Sequence, residues 1–262
     1  MIVREVVEAI HALAPSYMKY DWDNEGLLCG TMTQSVTKIL VALDPFPHVC
    51  REAKEKGADL LVTHHPLIFQ APKSVTDKDM TGQSILFLAA NGIAAVNAHT
   101  NLDCCHGGVN DVLARVLGLA EITVPSPMGT DEAGHPYGLL RAGLTVEQPL
   151  SQFLDLVKER LGTPVLRYAD GGRPVHRVAV GGGSCGDCYE EALEAGCDTL
   201  VTADVKYNQF WEAQTLGLNL IDAGHFYTEN PVCSVLAESL RQKLPGVEVL
   251  LSESHRDCMK FA

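Results

Sequence analysis

The sequence predicts an α/β protein of two related lobes, each a mostly parallel or mixed sheet covered by helices, arising from an internal duplication. Three observations point there. Short apolar runs without polar alternation recur along the chain, as expected of strands buried on both faces. Amphipathic stretches of helical period separate them, the rhythm of strand–helix–strand units. The chain also resembles itself at a shift of 139 residues. EAKEKGADLLVT (52–63) lies over EALEAGCDTLVT (191–202) with eight of twelve positions identical, and GIAAVNAH (92–99) resembles GLNLIDAGH (217–225) with one insertion.

Residues 2–13 read as a helix, with Val3, Val6, Val7, Ile10 and Leu13 on one side and Pro15 just beyond. A loop rich in Asp, Asn and Gly follows. Strands are expected at 39–43, 60–62, 93–96, 177–180, 199–202, 218–221 and 247–251. Helices are expected at roughly 47–56, 82–91, 108–117, 187–195, 206–216 and 232–243. Three Pro and two Gly in 120–136 read as a linker. A small unit follows it: strand 138–146, helix 150–161 ending at Gly162, and strand 164–168. The expected division is a first α/β lobe over 1–125, a linker and small β-α-β unit over 126–175, and a second lobe over 176–262 that packs on the first to form a metal site.

Composition narrows the function classes. The chain has 262 residues, 33 acidic against 20 basic, a net charge of −13. With 46% hydrophobic and 20% charged residues it is a packed globular protein. The acidic excess and the lack of any basic run argue against nucleic acid as a partner. No stretch of about 18 apolar residues exists to span a membrane. The N-terminal MIVREVVEAIHAL carries charges within its apolar stretch and has no small-residue cleavage site, so no signal peptide is expected. Nine scattered cysteines, an odd count, then fit a reduced, cytoplasmic protein whose thiols mostly fill core space.

The chemistry concentrates at three predicted strand ends. VTHHP places His64 and His65 after one strand, NAHTNLD places His99 and Asp103 after another, and DAGHFYTE places His225 and Glu229 after a third. Ligands of open α/β sheets bind outside the carboxyl ends of the strands. Two of these segments share the spacing His-x3-carboxylate at equivalent places in the repeat. Imidazole with carboxylate suits Zn, Mn, Fe, Co or Ni. Five or six donors exceed one tetrahedral zinc and suit two divalent metal ions about 3.5–4 Å apart, the arrangement used in hydrolysis.

These segments also carry a resemblance. DWDNEGLLCG (21–30), ALDP (42–45), GADLLVTHHPLIF (57–69), AHTNLD with GGVNDVLA (98–114), LVTADVKYN (200–208) and DAGHFYTE (222–229) occur in this order. The chain resembles the Nif-three-like family of dinuclear-metal proteins, whose members are named GTP cyclohydrolase I type 2 homologues. The resemblance implies two metals held by His64, His65, Asp103, His225 and Glu229, with Glu229 as a bridge. It implies a toroidal homohexamer built of trimers, with the metal sites facing its inner cavity. It also implies a metal-dependent hydrolase in which water attacks the guanine ring of GTP. The alternative is a non-catalytic metal-binding or regulatory hexameric scaffold. His99 is expected to carry protons or to orient Asp103 rather than to ligate, and Glu229 to take part in catalysis as well as ligation. Asp23, Asn24 and Gly26 form a polar turn that reads equally as a cap or as a rim of the site.

Weaker signals compete. Gly181–Gly186 fits G-x-G-x-x-G after a strand, and Asp204 follows Gly186 by 18 residues, close to a dinucleotide fold's ribose-binding acid. An NAD-dependent oxidoreductase would follow, but it leaves the His and carboxylate segments unexplained. The same loop could offer backbone N–H groups to a substrate phosphate. Cys185-x2-Cys188 resembles a redox or zinc half-site, read here as structural filling. Cys104, Cys105 and His106 lie close enough to Asp103 in sequence to reach a metal.

Overall fold

The computed structural model describes residues 1–262. The first helix, α1 (Val3–His11), buries Val3, Val6, Val7 and Ile10 at helical spacing. The elements that follow are β1 (Gly26–Cys29), β2 (Lys38–Ala42), α2 (Pro47–Glu55), β3 (Leu60–Thr63), α3 (Met80–Ala90), β4 (Ala94–Asn97), α4 (Thr100–Cys104) and α5 (Val109–Val116). Next come β5 (Ala120–Thr123), the short pair β6 (Gly129–Thr130) and β7 (Pro136–Tyr137), β8 (Arg141–Gln148), α6 (Leu150–Leu161) and β9 (Arg167–Ala169). The chain ends with β10 (Val175–Val180), α7 (Tyr189–Glu194), β11 (Thr199–Thr202), α8 (Tyr207–Thr215), β12 (Asn219–Asp222), α9 (His225–Glu229), α10 (Pro231–Lys243) and β13 (Glu248–Leu251).

The chain divides into two units. The first comprises Met1–Leu102 and Cys233–Arg256. Its sheet has the order β1-β4-β3-β2-β13, parallel except for β1, which pairs antiparallel with β4. The central strands β2, β3 and β4 are buried on both faces, which is why they carry no polar alternation. Leu40, Ala42, Leu61 and Ala95 join Val49, Ala53 and Leu88 of α2 and α3 in one core. Ile39, Val41, Leu60, Val62 and Val96 point the other way and are equally buried.

The second unit comprises Asp103–Val232 and Asp257–Ala262. Its sheet has the order β5-β8-β10-β11-β12-β9, with β10, β11 and β12 parallel. Val178, Val180, Val201 and Ile221 meet Phe153 and Val157 of α6 on one face. Ala179, Leu200 and Leu220 meet Ala192 and Ala213 of α7 and α8 on the other. The helix over 150–161 forms with the bounds its sequence predicts and stops at Gly162, whose φ of 66° is the left-handed cap.

Each unit carries the same succession: three parallel strands with an antiparallel strand beyond the third, β2-β3-β4-β1 in one and β10-β11-β12-β9 in the other. β3 and β11 are the two copies of the sequence repeat. The expected boundaries shift, however. β13 lies parallel to β2, so a C-terminal segment returns to the first unit. β8 pairs with β10, and β9 with β12, so 126–175 completes the second sheet instead of standing apart. The expected linker also contains β5, which pairs antiparallel with β8. No helix is long and apolar enough to cross a membrane.

Candidate metal centre

In the first unit, β3 ends at Thr63 and delivers His64 and His65, while β4 ends at Asn97 and delivers His99. Adjacent parallel strands set side by side, Thr63 beside Asn97, carry the three imidazoles to one sheet edge. One ring nitrogen from each of His64, His65 and His99 lies within 4.8 Å of the other two. His64 is fully buried; His65 and His99 are partly exposed.

The other ring nitrogen of each is committed. His64 Nδ1–H donates to the Ala98 carbonyl at 2.9 Å, His65 Nδ1–H to Asp44 Oδ1 at 2.7 Å, and His99 Nδ1–H to Asp23 Oδ1 at 2.7 Å. Acceptors at Nδ1 place the proton there and leave the lone pair on Nε2, the arrangement that orients metal-ligating imidazoles. Burial pushes the Asp23 carboxyl upward, but hydrogen bonds from His99 and Thr100 outweigh it and hold the group at about 2. Asp44 Oδ2 also accepts His255 Nε2–H at 2.8 Å. Against the opposing effect of burial, the two imidazoles keep Asp44 well below the usual carboxylate range. A cavity of about 90 Å³ bounded by Asp44, Phe46, His65, Pro66, Met80 and Ser84 opens beside this pair.

In the second unit, β12 ends at Asp222, and Gly224 at φ 86° turns the chain into the short helix α9. One helical turn then sets Glu229 under His225, with Oε2 2.9 Å from Nε2. Asp103 and Glu229 are both buried and bring carboxylate oxygens within 4.8 Å of each other. His225 Nδ1–H donates to Asp204 Oδ2 at 2.7 Å. Asp204 sits in the left-handed region, φ 52°, which a short acidic side chain tolerates. Burial lowers the His225 pKa, but Asp204 and Glu229 on opposite sides overcome it and raise the group to about 11.

The Gly181–Gly186 loop serves this carboxylate. A Cβ on Gly183, whose φ is 62°, would lie 2.1 Å from Glu229 Oε1 and 3.1 Å from His225 Nε2. Four of its amides are taken: Gly181 N–H donates to the Val201 carbonyl, Gly182 N–H to Asn110 Oδ1, Gly183 N–H to Thr228 Oγ1 and Cys185 N–H to Thr202 Oγ1. Those four amides are closed to a phosphate, and Asp204 holds His225 rather than a ribose. Cys104 and Cys105 present their main-chain carbonyls to the buried Arg141. Burial pushes the Cys105 thiol up to about 12, far from a ligating thiolate. His106 is exposed and stacks on His135.

The structure gathers His64, His65 and His99 in one unit and Asp103, His225 and Glu229 in the other. His99 shares the carboxylate–imidazole arrangement of His65 and His225. The turn at Asp23 accepts the Thr100 N–H at 2.9 Å at the start of α4 and orients His99. Asp44, Asp204 and His255 went unsuspected as supporting groups; for Asp204 the signal was its place opposite His65 in the repeat.

Residues 1–258 match the family described as Duf34/NIF3 (NGG1p interacting factor 3). The chain belongs to the DUF34/NIF3 family. A Clostridium perfringens relative named GTP cyclohydrolase 1 type 2 homolog is 35% identical over the full length of both chains. The Helicobacter pylori protein named GTP cyclohydrolase 1 type 2 is 30% identical over 91% of each. Among solved structures, a Staphylococcus aureus hypothetical protein superposes with a TM-score of 0.92 at 26% identity, covering 100% of this chain and 99% of that one. Reduced HcgD from Methanocaldococcus jannaschii gives 0.81 at 27% identity over 97% and 98%. This DUF34/NIF3 protein therefore has the family fold and carries groups of His, Asp and Glu that could hold a metal ion.

Proposed function

We propose that this DUF34/NIF3 protein is a metal-dependent hydrolase of the GTP cyclohydrolase I type 2 kind. Two divalent metal ions (Zn, Mn, Fe, Co or Ni) would draw their ligands from His64, His65, Asp103, His225 and Glu229. The observation that carries this reading is that His64, His65, His99 and His225 all have Nδ1 committed to a carbonyl or carboxylate, the arrangement that orients metal-ligating imidazoles. The donor set fits: neutral imidazoles with buried carboxylates and no thiolate suit divalent ions that keep open positions. The names of the relatives support the reaction class.

Bound there, the metals would lower the pKa of a water and polarise the bond under attack. The chain's own residues do the rest. Asp44 and Asp204 keep His65 and His225 in the ligating tautomer. Gly183 leaves room for the Glu229 carboxylate. His99, with Asp23 behind it, carries protons at Nε2. Water attack at C8 of the guanine ring of GTP would then open the ring to a formamide, and a second water would release formate from it.

The test is formate release from GTP by protein loaded separately with each of the five metals, with metal content measured alongside. Turnover that disappears in Glu229→Ala supports the reading. Bound metal with no turnover on any nucleotide would replace it with a non-catalytic scaffold. The family resemblance further supports a cytoplasmic homohexamer, to be read by native mass spectrometry at six times 28.3 kDa.

A further inference from the structure

Cys185 and Cys188 lie outside the metal-binding groups, on the loop that leads from β10 into α7. The turn is closed by Cys188 N–H donating to the Cys185 carbonyl at 3.0 Å, and Gly186–Cys188 form a 3₁₀ turn. Such a turn holds the α-carbons of its first and fourth residues within about 7 Å. A disulfide tolerates about 4.4–6.8 Å between the same atoms. Cys185 Sγ donates to the Gly182 carbonyl at 3.2 Å. Their surroundings differ: Cys185 is buried and Cys188 partly exposed. Of the remaining cysteines, Cys50, Cys104, Cys105, Cys197 and Cys233 are buried.

We propose that Cys185 and Cys188 form a reversible dithiol–disulfide pair, with Cys188 as the attacking thiol and Cys185 as the resolving one. The co-reactant is a low-molecular-weight disulfide, RSSR. The Cys188 thiolate attacks one of its sulfurs, the S–S bond breaks, and RS⁻ leaves behind a mixed disulfide at Cys188. Cys185, its proton passing to solvent, attacks the Cys188 sulfur and expels the second RS⁻. Two protein thiols lose two electrons and two protons, and RSSR becomes two RSH. The contact with Cys185 draws the Cys188 thiol below its ordinary value against burial and the nearby Glu191 and Asp187, whereas the same contact, with burial, raises Cys185. This asymmetry agrees with the assigned order, since exchange proceeds through the thiolate that is both formed and accessible.

The test is incubation of the full chain in glutathione buffers of increasing disulfide content, followed by fragment mapping of the tryptic peptide 178–206, which contains Cys185, Cys188 and Cys197. The wild-type peptide should lose two hydrogens through a bridge between Cys185 and Cys188 that dithiothreitol reverses. Cys185→Ser should trap glutathione on Cys188, and Cys185→Ala repeats the trap if a buried hydroxyl disturbs folding. Cys188→Ser should slow glutathione addition within the peptide by about tenfold or more, because only buried thiols are left. No bridge at any buffer ratio, a bridge to Cys197 instead, or equal reactivity of the two serine variants overturns the proposal. None of these readouts depends on bound metal.

Discussion

Replacing Gly183 by alanine puts a methyl carbon 2.1 Å from Glu229 Oε1 and 3.1 Å from His225 Nε2. Ordinary contact begins near 3.4 Å, so the carboxylate oxygen must retreat by more than an ångström. Metal ligands tolerate displacements of only about 0.2 Å. Disturbing a group behind a ligand costs about 10–100-fold in metal affinity, and moving the ligand itself belongs at the upper end, about 2.7 kcal/mol. The backbone adds a separate cost, since a side chain at φ 62° is disfavoured by about 1–2 kcal/mol. Gly183→Ala is therefore expected to melt a few degrees lower, stay folded, and bind metal about 100-fold more weakly in a chelator competition. Gly182→Ala is the milder control, meeting Val109 Cγ1 at 3.0 Å and Glu229 Cγ at 3.1 Å. Wild-type metal affinity in Gly183→Ala would refute the placement of Glu229 in the metal site.

Three further substitutions test the surroundings. Asp44→Asn cannot accept from both His65 and His255, so metal affinity should fall about 10–100-fold in the same competition, and an unchanged value would remove Asp44 from the site. Arg141, 1% exposed, donates to Asp111 and to the carbonyls of Cys104, Cys105, Gly138 and Leu140. Arg141→Met strands the Asp111 charge and should cost about 3–5 kcal/mol in urea unfolding, partly recovered on adding Asp111→Leu; a loss under about 1 kcal/mol counts against this role. Glu52 accepts from Ser252 and from the amides of Glu253 and Ser254; burial raises its carboxyl, but these bonds prevail and leave it below 4.5. Its contribution is complete above that value and vanishes as pH falls through the folded value. Glu52→Gln should cost about 1.5–3 kcal/mol at neutral pH and progressively less in acid, and a constant gap across pH would contradict the assignment.

Most of the fold is legible because burial on both strand faces writes itself as unbroken apolar runs such as Leu60–Val62 and Thr199–Thr202. Helix 150–161 is legible because Phe153 and Val157 fall one turn apart before a glycine cap. β1 escaped notice: Gly26–Cys29 follows a polar turn, and only its pairing with β4 makes it a strand. The same applies to β5, which becomes a strand only by pairing with β8. At the site, each metal-binding group stands at a strand end and can be found from the local pattern. The carboxylates behind them cannot, because Asp23 and His99 are 76 residues apart and meet only through folding. The Gly-rich loop shows the reverse failure. Its spacing invites a phosphate, yet Asn110, Thr202 and Thr228 from other segments occupy three of its amides.

The return of β13 to the first sheet sets an order of events during synthesis. Until Glu248–Leu251 has been made, β2 is an edge strand with its ladder groups open and Ile39, Leu40 and Val41 beside them. At about 5–20 residues per second, the ribosome needs roughly 10–40 s to travel from Ala42 to Leu251. The nascent chain carries a pairing-competent apolar edge throughout that interval. A truncation before β13 would leave it permanently open to other chains.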